Sequence, residues 1–191
     1  MGSPVSAVGP LNGVVTVGTD HHRFDRLMDW LERWNAGNPG AVRWIVQHGS
    51  SRPMSGADGF GMKPRAELLE LLADADVVVT QGGPGGIMDS RICGTVPIVV
   101  PRLARLNEVV DDHQVAFVQQ LARNGLLVAA HSEAELHAAL DRAVLDPASL
   151  AVGPGASDVS QTVARFAAVV GQLLASKPAR VGFRRTARSA R

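Results

Sequence analysis

The run Val77-Val78-Val79-Thr80-Gln81-Gly82-Gly83-Pro84-Gly85-Gly86 constrains this chain more than any other part of it. An apolar strand there passes straight into a glycine turn, and the residues that follow read as a helix to about Ile92. Successive glycines after a strand let the backbone pass close to a ligand, and the first free N–H groups of the next helix point at it. A second strand, Ile98 to Val100, ends at Pro101, and Asp111-Asp112-His113-Gln114 opens a further helix. Such a segment suits a ligand with a diphosphate at one end and hydroxyl groups at the other.

Strands and helices alternate through the rest of the chain. Val14, Val15 and Val17 form a strand closed by Gly18-Thr19, and Phe24, Leu27, Met28, Leu31 and Trp34 predict an amphipathic helix over 20–34. Val42 and Trp44 to Val46 make the second strand, with Gln47-His48-Gly49 at its carboxyl end. The polar stretch 50–61 reads as a loop long enough to carry a function. Pro64 stands in the first turn of a helix bearing Leu68, Leu69, Leu71 and Leu72. A helix over 112–124 stops at Gly125, a short strand covers 126–129, and Ser132 with Glu135 makes a capping box for a helix through Val144. The expected fold is α/β: a Rossmann-like parallel sheet with helices on both faces, whose ligands bind outside the carboxyl ends of the strands.

Four regions follow from this reading: a flexible lead over 1–12, the Rossmann-like domain over 13–153, a helix over 154–176 and a tail over 177–191. Val159, Val163, Phe166, Val170 and Leu173 alternate steps of four and three, a narrow seam for docking on another element. From Lys177 onward the chain carries six basic residues and no acidic one, the pattern of a disordered tail, solvated or in contact with an anionic surface. The net charge of +1 gives no global field that would recruit nucleic acid. Cys93 is the only cysteine, which excludes an internal disulfide and a cysteine cage, and a buried small hydrophobe is its expected role. No stretch approaches about 18 consecutive apolar residues and no signal peptide is visible, so a cytoplasmic protein is expected.

The glycine run is not a Walker A loop, which needs Gly-Lys-Ser/Thr, nor a dinucleotide fingerprint, which would need glycine where Met88 stands. A purely structural turn of small residues is the alternative. Asp89, early in the following helix, either accepts from a ribose diol or favours the helix N-terminus through its dipole. Of Asp111 and Asp112 one should cap the helix, and the other, with Gln114, is placed for sugar hydroxyls. Asp74-Ala75-Asp76 resembles a metal-binding DxD, but it precedes a strand and reads as solvated. His21 and His22 stand near a phosphate position or simply at a surface helix start. His48 has no Ser/Asp partner for a hydrolase triad.

These residues resemble the C-terminal, sugar-nucleotide-binding half of the GT-B glycosyltransferases of family 28. The likeness is greatest to the free-standing halves, the small catalytic subunit of the two-part UDP-GlcNAc transferase that starts dolichol-linked glycans and its bacterial exopolysaccharide counterparts. It spans about Val14 to Leu140 and rests on Val15 to Thr19 followed by Phe24-Asp25, on Gln47-His48-Gly49, on the Ala75-Asp76 strand with its glycine loop, on Pro97 to Pro101, and on Asp111 to Gln114. The resemblance implies that Gly82, Gly83, Gly85 and Gly86 hold the diphosphate, with Gln81 beside them. Asp89 would hold the ribose, Asp112 and Gln114 the donor sugar, and Gly18 and Thr19 would line the acceptor side of the cleft.

Two positions depart from the family's pattern: Gln81 where it usually has His, and Asp89 where it usually has Glu. The implied activity is inverting hexosyl or N-acetylhexosaminyl transfer from a UDP-sugar to a lipid-linked or polysaccharide acceptor. It needs neither metal nor cofactor and no nucleic acid. A GT-B enzyme has two such halves, so the resemblance also implies a separate membrane-anchored subunit that binds the acceptor, supplies the base and holds this chain at the inner face of the membrane. A catalytically weakened, regulatory sugar-nucleotide-binding subunit is the alternative.

Overall fold

The computed structural model describes residues 9–153 and, beyond them, Val163, Ala164, Ala167, Ala168 and Gly171, which are helical. The expected docking seam and basic tail otherwise lie outside the described residues, as do residues 1–8 of the lead. Six strands form one sheet: β1 (Leu11–Thr16), β2 (Val42–Gln47), β3 (Asp58–Phe60), β4 (Val77–Gln81), β5 (Ile98–Val100) and β6 (Val128–Ala129). Their order is β3-β2-β1-β4-β5-β6 and every pairing is parallel. The helices are α1 (Asp25–Gly37), α2 (Arg65–Ala73), α3 (Pro84–Ile92), α4 (His113–Arg123) and α5 (Glu133–Leu145). The chain is thus an α/β protein with a Rossmann-like sheet.

The period-two alternation of a strand sorts the core into two faces. Val15, Val77, Val79, Ile98 and Val100 point to one face, where Leu27, Met28 and Leu31 of α1 and Leu136 and Leu140 of α5 cover them. Val14, Val78 and Val99 point the other way, onto Leu72 of α2, Ile87 of α3, and Val118 and Leu121 of α4. A sheet covered on both faces needs apolar residues at successive positions, which is why its strands read as valine runs. Each fully buried Leu, Ile or Phe contributes roughly 1.5–3 kcal/mol of transfer free energy. Gly13 is required by packing: a Cβ there would sit 2.5 Å from the Trp44 ring.

Four boundaries differ from the sequence expectation. β1 begins at Leu11, so the last two residues of the expected 1–12 lead belong to the sheet, with Leu11 paired to Val42. α1 begins at Asp25 rather than Asp20, because side-chain acceptors take the N–H groups before it. Asp20 Oδ1 accepts from the His22 N–H at 2.9 Å, and Ser51 Oγ accepts from the Phe24 N–H at 2.7 Å. The stretch expected as one long loop contains β3, an edge strand, and residues 51–55 of it are bonded to α1 through Asp25, Asp29 and Glu32. β6 is two residues rather than four. Leu126 and Leu127 instead pack against Ile87 and Val118. Among the described residues no helix is long and apolar enough to cross a membrane.

Candidate functional site

β1 and β4 are neighbours in the sheet, yet the chain leaves them toward opposite faces, to α1 after β1 and to α3 after β4. That reversal opens a crevice at their carboxyl ends. Gly18, on the β1 side, has φ +76°, a left-handed conformation suited to glycine, and Thr19 beside it is exposed. On the β4 side α3 begins at Pro84, so Gly82 and Gly83 form the turn while Gly85 and Gly86 lie in the first helical turn. Pro at that position loses no hydrogen bond, since the first N–H groups of a helix have no intrahelical partner.

The glycines differ in what demands them. A Cβ on Gly86 would stand 2.6 Å from Thr80 Oγ1, which is bonded at 2.8 Å to Thr16 Oγ1 across the buried β1–β4 contact. A Cβ on Gly82 would meet Val118 at 2.9 Å and Gln114 Oε1 at 3.0 Å. One on Gly83 would meet Gln81 Nε2 at 2.9 Å, whereas Gly85 has nothing within 4 Å. Packing therefore explains Gly82 and Gly86, sets only the end of the Gln81 side chain against Gly83, and leaves Gly85 unexplained by the protein itself.

Buried between the loops that border the crevice is Arg102, which has no exposed surface. Its guanidinium donates to four acceptors: Val17 O at 2.9 Å, His22 O at 2.8 Å, Glu108 O at 2.9 Å and Gln81 Oε1 at 2.7 Å. The Phe24 ring covers it, 4.8 Å from centroid to Cζ. Burial pushes its pKa down, and the Asp20 and Glu108 charges only partly oppose this. The Arg102 backbone N–H donates to Gln114 Oε1 at 3.3 Å, and Gln114 Nε2 lies 3.5 Å from Gln81 Oε1. Because guanidinium and backbone N–H are donors only, both amides are fixed with oxygen toward Arg102 and nitrogen away from it. Arg102 thus brings Gln81, Gln114 and the loop at Val17 into one cluster.

Two of the sequence-selected carboxylates lie apart from that cluster. Asp89 is the sixth residue of α3, in its second turn rather than at its start, and Arg65 of α2 holds both its oxygens at 2.5 and 3.3 Å. That pairing raises the Arg65 pKa. Asp112 precedes α4 without capping it. Its Oδ1 accepts from the Ala104 N–H at 2.8 Å, while Asp111 accepts from the His113 N–H at 3.0 Å. His48 Nδ1 faces the carbonyls of Gly49 and Ser51, both acceptors, which makes it a donor in a local turn. Cys93 is half-buried against Leu69, and burial raises its thiol pKa.

The sequence reading missed Arg102, Arg65 and the Arg26–Glu108 pair. Arg26 meets both Glu108 oxygens at 2.8 Å and donates to Pro101 O, so it braces the β5–α4 loop that carries Asp112 and Gln114. The available signal was position, since Arg102 directly follows Pro101 at a strand's carboxyl end. Beside the cluster, His21, His22, Arg26, Leu106 and Glu108 border an open cavity of ≈ 540 Å³. The glycine loop does not line it; the buried Arg102, bonded to both His22 O and Glu108 O, lies between the two.

With the site in view, three comparisons bear on it. The model of the glycosyltransferase family 28 C-terminal domain matches residues 39–167, which include every site residue named above from Gln81 onward and exclude Gly18 to His22. Over 78 residues the chain is 33% identical to the UDP-N-acetylglucosamine--N-acetylmuramyl-(pentapeptide) pyrophosphoryl-undecaprenol N-acetylglucosamine transferase of Prochlorococcus marinus (strain MIT 9303), covering 41% of this chain and 20% of that enzyme. Among solved structures, the glycotransferase of kitacinnamycin superposes with a TM-score of 0.56 at 20% identity, over 92% of this chain and 46% of that one. MurG of Acinetobacter baumannii does so with a TM-score of 0.55 at 16% identity, over 87% and 51%. At these identities the structural likeness shows the fold, and this chain spans about half of either solved chain.

Proposed function

From the premise that this chain belongs to glycosyltransferase family 28, as its C-terminal domain, we propose that it is the donor-binding part of a UDP-sugar-dependent glycosyltransferase. The observation that carries the reading is Gly85. In a helix a glycine costs roughly 0.5–1 kcal/mol against alanine. Nothing in the fold needs one at this position. A ligand lying against the first turn of α3 does, because a Cβ would hold it off the N–H groups.

The donor's diphosphate would lie on the N-terminus of α3, whose N–H groups and dipole meet its charge without a resident metal or cofactor. Gln81 and Gln114 would turn their amide nitrogens to donor oxygens, with Arg102 fixing the direction of both. Departure of UDP would be assisted by the same groups, since they act where charge develops as the glycosidic bond breaks. Transfer would go with inversion to a hydroxyl of a lipid-linked or polysaccharide acceptor. The acceptor would be presented by a separate membrane-anchored subunit that holds this chain at the cytoplasmic face.

Titration calorimetry of the full chain with UDP, UDP-GlcNAc and UDP-glucose, alone and after co-expression with that subunit, tests this. Binding of UDP and at least one UDP-sugar is expected. Binding of none of them overturns the reading. One observation favours a second reading, a weakened regulatory subunit: the Asp89 carboxylate proposed for the ribose is already held at both oxygens by Arg65. UDP binding without turnover in the co-expressed complex would favour it.

A further inference from the structure

We propose that Arg65 makes the donor site indifferent to the ribose hydroxyls, so that this chain takes 2′-deoxyribonucleoside diphosphate sugars as readily as their ribose counterparts. This deepens the donor-binding reading and rests on it. The carboxylate at issue is Asp89, the only acidic residue of α3, which stands four residues after Gly85. Residues four apart share a helix face, roughly 6 Å apart along the axis, and a helical side chain leans back toward the N-terminus. Gln114 stands against Gly82, ahead of the helix. A donor with its diphosphate at Gly85 and its hexose toward Gln114 therefore brings its pentose over Asp89.

Asp89 is not free to read that pentose. Arg65, the first residue of α2, lies side-on to it, with Nη2 at 2.5 Å from Oδ1 and Nε at 3.3 Å from Oδ2. α2 follows β3, so its N-terminus stands at the same carboxyl edge of the sheet as that of α3. A pair exposed on both sides contributes little and opens readily. This pair is exposed on one side only: 66% of the Arg65 side chain is accessible, against 12% of the Asp89 side chain. A carboxylate with so little access to water depends on its partner. Exchanging a charged, two-point donor for neutral hydroxyls would leave it less compensated, so the guanidinium stays where it is.

The consequence for specificity follows from what discrimination costs. A site rejects a substrate that lacks a hydroxyl chiefly because the group built to meet that hydroxyl is then left unpaired. Here the carboxylate is paired whether or not the hydroxyl is present. Loss of the 2′- or 3′-hydroxyl leaves no charge without a partner, and recognition falls to the diphosphate, the base and the hexose. Arg65 is thus a specificity-determining residue that acts through Asp89, and its removal should restore the reading of the pentose.

Calorimetry of the full chain with UDP, 2′-deoxy-UDP and 3′-deoxy-UDP tests this, and the ratio of affinities is the quantity read, because a general change in charge near the diphosphate cancels in it. Wild type should bind all three within about threefold of one another. Arg65→Ala should prefer UDP to at least one analogue by about tenfold or more, the worth of a hydrogen bond to a charged group. Adding Asp89→Ala to that variant should return the ratio to within about threefold. Asp89→Ala alone should weaken UDP by no more than about threefold, a check that does not depend on Arg65→Ala folding. A larger wild-type preference for UDP, or a larger loss in Asp89→Ala, means that Asp89 reads the ribose past Arg65 and overturns the proposal. A ratio unchanged in Arg65→Ala, or a preference that survives in the double variant, overturns it too, since Asp89 then does not meet the pentose; UDP binding itself leaves the donor-binding reading standing in each of these cases. Wild-type chain that binds none of the three overturns the donor-binding reading, and this inference falls with it.

Discussion

Gly85 and Gly86 are adjacent, yet their surroundings predict opposite outcomes for the same substitution. Gly86→Ala drives a methyl to 2.6 Å from Thr80 Oγ1, an atom held in the buried Thr16–Thr80 contact and unable to move aside. Overpacking of this kind costs about 1–3 kcal/mol, more than the gain in helix propensity returns. Gly85→Ala meets open space, so it should stabilise the chain by roughly 0.5–1 kcal/mol while weakening UDP binding. Urea denaturation with calorimetry on both variants reads this out, and a Gly85→Ala chain that binds UDP as wild type does would remove the main support for the donor site. Arg102→Met belongs to the same scale. It strips the donor from four acceptors, three of them main-chain carbonyls, and should cost at least about 3 kcal/mol. Arg102→Lys should recover only part of this, because an ammonium cannot span four acceptors that a planar fork reaches in different directions.

At the scale of elements, α1 and the loop after β2 behave as one unit joined by Arg52. Its guanidinium bonds Glu32 at 2.6 and 2.7 Å and Asp29 at 2.5 Å, and Glu32 also accepts from the Ser55 N–H. The Arg52 hydrogen bond is the main cause that holds the Glu32 pKa below its ordinary value of 4.5. A carboxyl depressed in the folded state contributes stability that is present above its unfolded pKa and lost as pH falls through the folded one. The Glu32 contribution should therefore be intact at neutral pH and disappear below about pH 4.5. Glu32→Gln should lower stability at pH 7 and flatten the acid limb of a pH–stability curve; an unchanged limb would mean that the contact is too solvated to matter. The sequence shows α1, β2 and the polar stretch between them and α2, but not this joint. Strands β1, β2, β4 and β5 are legible because a sheet covered on both faces demands consecutive apolar residues. The edge strand Asp58–Phe60 carries no such pattern, because pairing with β2 holds it and two of its three residues are exposed. The capping box is half right: Ser132 Oγ accepts from the Glu135 N–H, but Glu135 returns to the His131 N–H instead. Arg102 stayed hidden for a different reason, since three of its partners are carbonyls, which every residue type carries, and Val17 and His22 lie 85 and 80 positions away. The glycine loop was readable as a motif, whereas only packing separates Gly85 from its neighbours.

For the molecule as a whole, the question is whether one Rossmann-like half offers a complete donor site. Gln81, Gly85 and Gln114 all come from this chain, and a buried arginine holds the two glutamines in place. Pre-organisation of that kind predicts UDP binding without a partner, seen as a shift of the unfolding midpoint. Ligand at a hundredfold excess over its dissociation constant stabilises by about 2.7 kcal/mol, which raises Tm by roughly 5–10 °C for a chain of this length. The net charge of +1 provides no global attraction for anions, so a shift of that size has to come from a local site. Inorganic phosphate at the same concentration should give much less, because it meets the α3 N-terminus but not the groups that face a ribose or a sugar. UMP should fall between, lacking the β-phosphate. If all three ligands moved Tm equally, the site would be an anion site and nothing more. If UDP did so only after the membrane-anchored subunit was added, the donor pocket would be shared between the two halves.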